Sequence, residues 1–313
     1  MVTNWFANTI DLIKLGRPLH LIGGAIFYGV GVAAAGSTLR DGGLALLGLA
    51  TALSAQLMNH YSNDYFDRDA DVANATPTRW SGGSRVLPAG RLPAQAALAA
   101  ALGWGMLAMS LAVLSAMHSP NPALSAGMLG LAIALAWVYS GPPLYLHRRG
   151  WGEVVGALLV PGMTALTGFV LQTGTVQPII LLTILPLCLL QFAMLIAVSL
   201  PDVVGDRKVG KRTLAVMFGP QQAVRWQIGA IGMAFLSLPL LGLGGVPWLV
   251  ALAPLTTAPI GLWLIIRFRS GAWADPAAWD GLGFWSIGQL VGSAGMMLLG
   301  FVATEWVTQG WGA

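Results

Sequence analysis

The chain has 313 residues, 56% of them hydrophobic and only 9% charged. A soluble domain carries about 25% charged residues, so this composition excludes an ordinary soluble enzyme and points to a chain embedded in a bilayer. The net charge of +4 is modest, and the single Cys188, inside an apolar run, excludes an intrachain disulfide or a thiolate metal framework and reads as a small buried hydrophobe.

Residues 1–18 carry Trp5, Phe6, Ile10 and Ile13 with Lys14 and Arg17, the pattern of a short helix lying at the membrane surface. The same stretch lacks the basic region, short apolar core and cleavage site of a signal peptide. Apolar stretches of spanning length, about 20 residues, follow at 19–38, 43–62, 95–117, 123–140, 153–173, 178–200, 223–245, 247–267 and 283–304. Nine spans with the N-terminus inside put Lys14 and Arg17, then Arg68, Arg79, Arg85 and Arg91, then Arg148 and Arg149, on the inner side. They add Arg207, Lys208, Lys211, Arg212 and Arg225, and finally Arg267 and Arg269, leaving only Arg40 of the sixteen basic residues outside. Cytoplasmic loops are enriched in Lys and Arg, so the expected fold is all-α and integral to the membrane, with nine spans, N-in and C-out. Abundant glycine, 41 residues, fits close packing between the spans.

Where the second span leaves the membrane the chain reads Asn63-Asp64-Tyr65-Phe66-Asp67-Arg68-Asp69-Ala70-Asp71. On a helix Asp64, Asp67 and Asp71 share one face, while Asp69 points nearly the opposite way. Like charges on one face repel unless a cation sits between them, and an all-oxygen ligand set suits Mg²⁺. Charge is scarce in this chain, so aspartates concentrated at a membrane edge read as functional rather than as solvated loop residues. The following loop, Thr76-Pro77-Thr78-Arg79-Trp80-Ser81-Gly82-Gly83-Ser84-Arg85, places glycines among hydroxyl and guanidinium donors. Its backbone N–H groups can approach an anion closely, and Arg79 and Arg85 suit phosphate oxygens.

A third inner loop contains Tyr139, His147, Arg148 and Arg149. Tyr139, His147 and Arg148 are placed to reach the same cavity, although a lone histidine there is ordinarily an interfacial residue. Glu153, at the start of span five, reads as a helix cap or a partner of Arg148. After span six comes a second acidic pair, Asp202 and Asp206, at i, i+4 spacing, with Pro201 starting a fresh helical turn. Four crossings separate the two acidic motifs, so both lie on the inner face and can meet across one cavity. Lys208 and Lys211 are the natural partners for a diphosphate, and Arg207 and Arg212 read as topology determinants. Nucleic-acid binding has no support, and neither a nucleotide-binding glycine loop nor a nucleophile–base pair is present.

At these residues the chain resembles the UbiA superfamily of intramembrane prenyltransferases. Asn63, Asp64, Asp67 and Asp71 match that family's first motif, Asp202 and Asp206 its second, and Gly210-Lys211 through Thr213-Leu214-Ala215 continue the likeness. Arg17-Pro18 resembles the family's entry to its first helix, which adds Arg17 to the expected diphosphate contacts alongside Arg79, Arg85, Tyr139, Arg148, Lys208 and Lys211. The third loop departs from the pattern: members often carry a lysine where His147, Arg148 and Arg149 stand. The resemblance implies Mg²⁺ held by Asn63, Asp64, Asp67, Asp71, Asp202 and Asp206, with Asp67, Asp71, Asp202 and Asp206 central to catalysis. It implies one domain over 1–313, with an interfacial helix at 1–18 and acidic motifs and cytoplasmic loops at 63–94 and 201–222. The implied reaction transfers a prenyl group from a polyprenyl diphosphate to an aromatic acceptor in a bacterial or archaeal plasma membrane. The Ser81-Gly82-Gly83-Ser84-Arg85 stretch is similar to the dihydroxynaphthoate (menaquinone-type) branch. Other acceptors (4-hydroxybenzoate, homogentisate, chlorophyllide, haem or a lipid ether) and a terpene cyclase remain open. A cation transporter would place its carboxylates nearer mid-membrane and has no need of clustered Arg and Lys beside them.

Overall fold

Short polar side chains and prolines set where the helices begin. In the computed structural model, which describes residues 5–36 and 41–310, Asp41 Oδ1 accepts the Gly43 N–H at 2.7 Å and opens α3 (Gly42–Phe66). Two earlier helices, α1 (Trp5–Leu15) and α2 (Pro18–Ala34), meet at Arg17. A six-residue helix, α4 (Arg68–Ala73), continues from α3, and α5 (Ala94–His118) packs along α3 through Ala97, Ala101, Ala108 and Ala112, all buried. Asn121 caps α6 (Pro122–Ser140) by accepting the Leu124 N–H at 3.2 Å, with Pro122 at the first helical position, where its missing donor costs nothing.

The next membrane segment is built in pieces: α7 (Gly152–Ala157), a π-helical turn over Leu158–Met163, and α8 (Thr164–Thr173). Pro161 lies in that turn; it has no N–H to give and its ring crowds the preceding turn, which a wider helix relieves. A long apolar helix, α9 (Pro178–Ser199), then runs through a 3₁₀ turn into α10 (Val203–Lys208). The remainder comprises α11 (Leu214–Phe218), α12 (Pro220–Leu236), α13 (Leu238–Leu243), α14 (Trp248–Leu252), α15 (Ala258–Arg269) and α16 (Trp279–Gly310). No strand occurs among the described residues.

Helices α2 and α8 approach each other closely. A Cβ on Gly31 would overlap the Ala165 carbonyl, and one on Gly168 would lie 2.7 Å from the Tyr28 carbonyl oxygen. Without water to drive association, such small-residue crossings provide the packing between membrane helices. The largest cluster of buried apolar residues joins α2, α8, α9, α12, α15 and α16 and includes Phe169, Leu187, Ile231, Leu264 and Leu290.

Eight helical segments among the described residues are long and apolar enough to cross a membrane. They match the expected second to ninth spans, with 276–307 longer than the expected 283–304. The first expected span, 19–38, corresponds to α2, which at 17 residues is shorter than the rest. Residues 37–40, including Arg40, the lone outer basic residue, lie outside the described residues, as do residues 1–4 of the expected interfacial helix. Together the composition and the eight apolar helices make this an integral membrane protein.

Candidate active site

The first acidic motif occupies the end of α3 and the start of α4. The helix tightens at Asp67 but remains connected, because the Asp71 N–H donates to the Asp67 carbonyl at 3.0 Å. Asp67 and Asp71, both buried, face a cavity, while Asp69 is exposed on the other side, as the helical-face argument expects. Asp64 sits behind the cavity wall. It accepts hydrogen bonds from the Arg17 guanidinium, from the Ser84 hydroxyl and from the Ser84 N–H at 3.2 Å. Asn63 does line the cavity; its amide donates to Ser140 Oγ at 3.1 Å and its Oδ1 lies 3.4 Å from Arg17 Nη2.

The second motif arrives from α9. Pro201 lies in the 3₁₀ turn over Leu200–Asp202, and α10 then carries Asp206 to the same cavity. Two contacts tie it to the first motif's loop: Asn74 Nδ2 donates to Asp202 Oδ1 at 2.6 Å, and the Gly82 N–H donates to Asp202 Oδ2 at 3.3 Å. Gly205 permits this approach, since a Cβ there would lie 3.0 Å from the Asn74 Cα. Gly83 is equally constrained: its φ is +72°, and a Cβ would overlap the Asp71 carboxylate.

Lys211 stands between the motifs. Its Nζ donates to Asp67 Oδ2 at 2.6 Å and lies 3.4 Å from Asp206 Oδ1. The turn through Gly210, φ +72°, positions it, closed by the Lys211 N–H on the Asp206 carbonyl at 2.9 Å. On Asp67's other side, His147 Nε2 lies 3.2 Å from Oδ1, while its Nδ1 is 2.8 Å from the Tyr139 carbonyl. A carbonyl only accepts, so Nδ1 carries the hydrogen there.

The cavity encloses about 140 Å³ and is lined by Arg17, Asn63, Asp67, Asp71, Tyr139, His147, Glu153, Asp202, Asp206 and Lys211, among others. Of the expected diphosphate contacts, Arg17, Tyr139 and Lys211 therefore reach it. The others are placed outside the lining. Arg79 is exposed with its guanidinium 5.3 Å over the Trp80 ring, and Arg85 donates to the Asp71 carbonyl. Lys208 is exposed, and the Arg148 carbonyl accepts the Arg212 N–H at 2.9 Å. Sequence reasoning did not place Glu153, Leu195, Val198 or Ser199 in the lining, nor Asn74 behind it on Asp202. Asn74 has no motif to announce it. Glu153 accepts the Leu214 N–H at 2.9 Å, a partner 61 residues away, and makes no ion pair with Arg148 among the described residues.

The charge balance leaves a place for a cation. Burial alone would raise the Asp67 carboxyl, but Lys211 and His147 hold it well below the usual carboxylate range. Among the described residues Asp71 makes no side-chain hydrogen bond or ion pair; burial first, then Asp67 and Asp64, push it up to about 8 against the weaker pull of Arg17 and Lys211. Lys211, though buried, is held above its ordinary value by Asp67 and Asp206. Among the described residues, no three His, Cys, Asp or Glu side chains lie together as a metal-binding group. The donor set is nonetheless all oxygen apart from His147, and Asp71 in particular has no paired counter-charge in contact among the described residues, which fits Mg²⁺. Metal binding must then displace the Asp71 proton. Mg²⁺ affinity, measured by calorimetry without any donor, should strengthen up to about tenfold per pH unit from pH 6 to about 8 and then level off. Asp71→Asn should flatten that dependence, and a flat wild-type profile would show that Asp71 is already ionised.

The UbiA prenyltransferase family model matches residues 24–288. Over 250 residues the chain is 30% identical to the digeranylgeranylglyceryl phosphate synthase of Natronomonas pharaonis, covering 78% of this chain and 82% of that protein. It is 25% identical over 224 residues to the 1,4-dihydroxy-2-naphthoate octaprenyltransferase of Bacillus subtilis, covering 71% and 66%. A solved UbiA homologue from Archaeoglobus fulgidus, bound to GPP and Mg²⁺, superimposes with a TM-score of 0.64 at 17% identity, covering 95% of this chain and 98% of that one.

Proposed function

The chain belongs to the UbiA prenyltransferase family, and on that premise we propose that it transfers a prenyl group from a polyprenyl diphosphate to 1,4-dihydroxy-2-naphthoate within the membrane. The observation that carries the reaction class is the convergence of two acidic motifs distant in sequence, Asp67 and Asp71 from the first and Asp202 and Asp206 from the second, on one cavity with Lys211 between them. The naphthoate acceptor is supported by the Bacillus subtilis relative and by the Ser81–Arg85 loop. A lipid-ether alcohol is the second reading, favoured by the Natronomonas pharaonis relative at 30% identity.

We take α2 as the first of nine spans, because its 17 mostly apolar residues are just enough to cross and the eight further segments follow it. All basic residues but Arg40 then fall on the cytoplasmic side of a bacterial or archaeal plasma membrane, with the cavity near that face and the whole chain as one domain.

Asn63, Asp67, Asp71, Asp202 and Asp206 would hold Mg²⁺, with Asp64 keeping Arg17 and Ser84 in place behind them. When bound, the ion would supply electrostatic stabilisation of the departing diphosphate. Lys211 and Arg17 add fixed positive charge at the same wall, already positioned where negative charge develops. The allylic C–O bond breaks with its electron pair leaving on the diphosphate. A ring carbon of the acceptor forms the new bond to the allylic carbon. The proton it releases goes to a cavity carboxylate or to water.

The reading is tested with purified protein, Mg²⁺ and labelled geranylgeranyl diphosphate, offered dihydroxynaphthoate and geranylgeranylglyceryl phosphate in separate reactions. A prenylated naphthoate is the expected product. Transfer only to the glyceryl phosphate would move the assignment to lipid-ether synthesis, and diphosphate release with neither acceptor would indicate a cyclase.

A further inference from the structure

One acidic residue of the cavity belongs to neither aspartate motif. Glu153 lies in the first turn of α7, is 4% exposed and lines the same cavity. Its Oε1 accepts the Leu214 N–H at 2.9 Å, which fixes the plane of the carboxyl group. Its Oε2 is buried with no hydrogen-bond partner among the described residues. A buried carboxyl oxygen left bare is costly unless something absent from the protein itself completes it.

The surroundings indicate what that something is. No lysine, arginine or histidine forms an ion pair with Glu153 among the described residues, whereas Lys211 is engaged by Asp67 and Asp206. A bare carboxyl oxygen would oppose a diphosphate, so Glu153 marks a part of the cavity that the diphosphate does not occupy. Its neighbours are suited to a flat or apolar body. A Cβ on Gly156, one turn further along α7, would lie 3.6 Å from the Tyr139 hydroxyl and 2.7 Å from a Leu195 methyl group. Tyr139 and Leu195 both line the cavity. The chemical complement of the free oxygen is a hydroxyl that donates a hydrogen bond.

We propose that Glu153 Oε2 binds the hydroxyl group of the prenyl acceptor and so selects hydroxylated acceptors. The inference rests on the transferase reading and holds for a phenolic or an alcoholic acceptor alike. A hydrogen bond to a carboxylate carries enough free energy for a tenfold or larger change in affinity.

The test is equilibrium binding to the full-length protein in nanodiscs with Mg²⁺ and the unreactive geranylgeranyl S-thiolodiphosphate. Dihydroxynaphthoate, geranylgeranylglyceryl phosphate and 2-naphthoate, which lacks hydroxyls, serve as probes. Glu153→Gln keeps an oxygen for the Leu214 N–H but removes the free acceptor, and should weaken the hydroxylated probe that binds wild type by about tenfold or more. Affinity for the thiolodiphosphate should stay unchanged, Glu153→Asp should fall between, and 2-naphthoate should bind both forms equally weakly. Equal affinity of the hydroxylated probe for wild type and Glu153→Gln would overturn the proposal. So would a matching loss of thiolodiphosphate binding, which is the signature of a merely structural role, or a wild type that binds the thiolodiphosphate but neither hydroxylated probe. A wild type that fails to bind the thiolodiphosphate at all would instead overturn the transferase reading on which the proposal stands.

Discussion

Asp202→Ala is expected to lower the rate of prenyl transfer by at least a thousandfold, about 4 kcal/mol of transition-state stabilisation, while the protein stays folded. The side chain stands where the second motif meets the first, held by Asn74 at 2.6 Å and by the Gly82 N–H at 3.3 Å. Removing it deletes a carboxylate from the proposed metal site and releases the Ser81–Gly83 loop from the cavity wall. The two lost hydrogen bonds cost only about 1–3 kcal/mol together, so an unfolding transition should survive. Transfer rate and thermal unfolding measured on the same preparation separate these effects. Asp67→Ala should lose transfer to the same degree, but it also breaks the buried pair with Lys211 and so should cost more stability, about 3–5 kcal/mol. Wild-type turnover in either variant would remove the metal assignment.

Lys211→Ala is expected to raise the Michaelis constant for the diphosphate donor by about ten- to a hundredfold, the scale of one charge-assisted contact. It carries a second, separable effect. Lys211 is only 12% exposed and serves two buried carboxylates, and breaking a buried pair by removing one partner costs about 3–5 kcal/mol. Without Mg²⁺ the variant should therefore melt well below wild type, and saturating Mg²⁺ should restore part of the difference by supplying the missing charge. An unchanged Michaelis constant would take Lys211 out of the diphosphate site. A loss of stability that Mg²⁺ does not touch would separate the lysine from the metal.

Much of this arrangement was legible in the sequence because it depends on local signals. The expected spans 95–117, 123–140 and 178–200 differ by only a residue from Ala94–His118, Pro122–Ser140 and Pro178–Ser199, where prolines, Asn121 and a turn mark the ends. The pairing of the acidic motifs followed from counting crossings, and the outward side of Asp69 from helical spacing. What stayed hidden depends on contacts distant in sequence. Asp64 shares its helix face with Asp67 by spacing, yet Arg17, 47 residues earlier, takes it instead. That contact needs Arg17 in a left-handed conformation, φ +50°, which nothing in Arg17-Pro18 announces. Asn74 and Glu153 meet partners 128 and 61 residues away. Arg79, Arg85 and Lys208 illustrate the opposite case: guanidinium and ammonium groups near a motif in sequence whose side chains the loop geometry turns to Trp80, to the Asp71 carbonyl and to the surface.

The most direct measurement is equilibrium binding of geranylgeranyl diphosphate to the purified protein, made with Mg²⁺ and again with EDTA, in wild type and Asp202→Ala. A single site built from both acidic motifs predicts tight binding only for wild type with Mg²⁺. Equal affinity in EDTA, or wild-type affinity in Asp202→Ala, would contradict it.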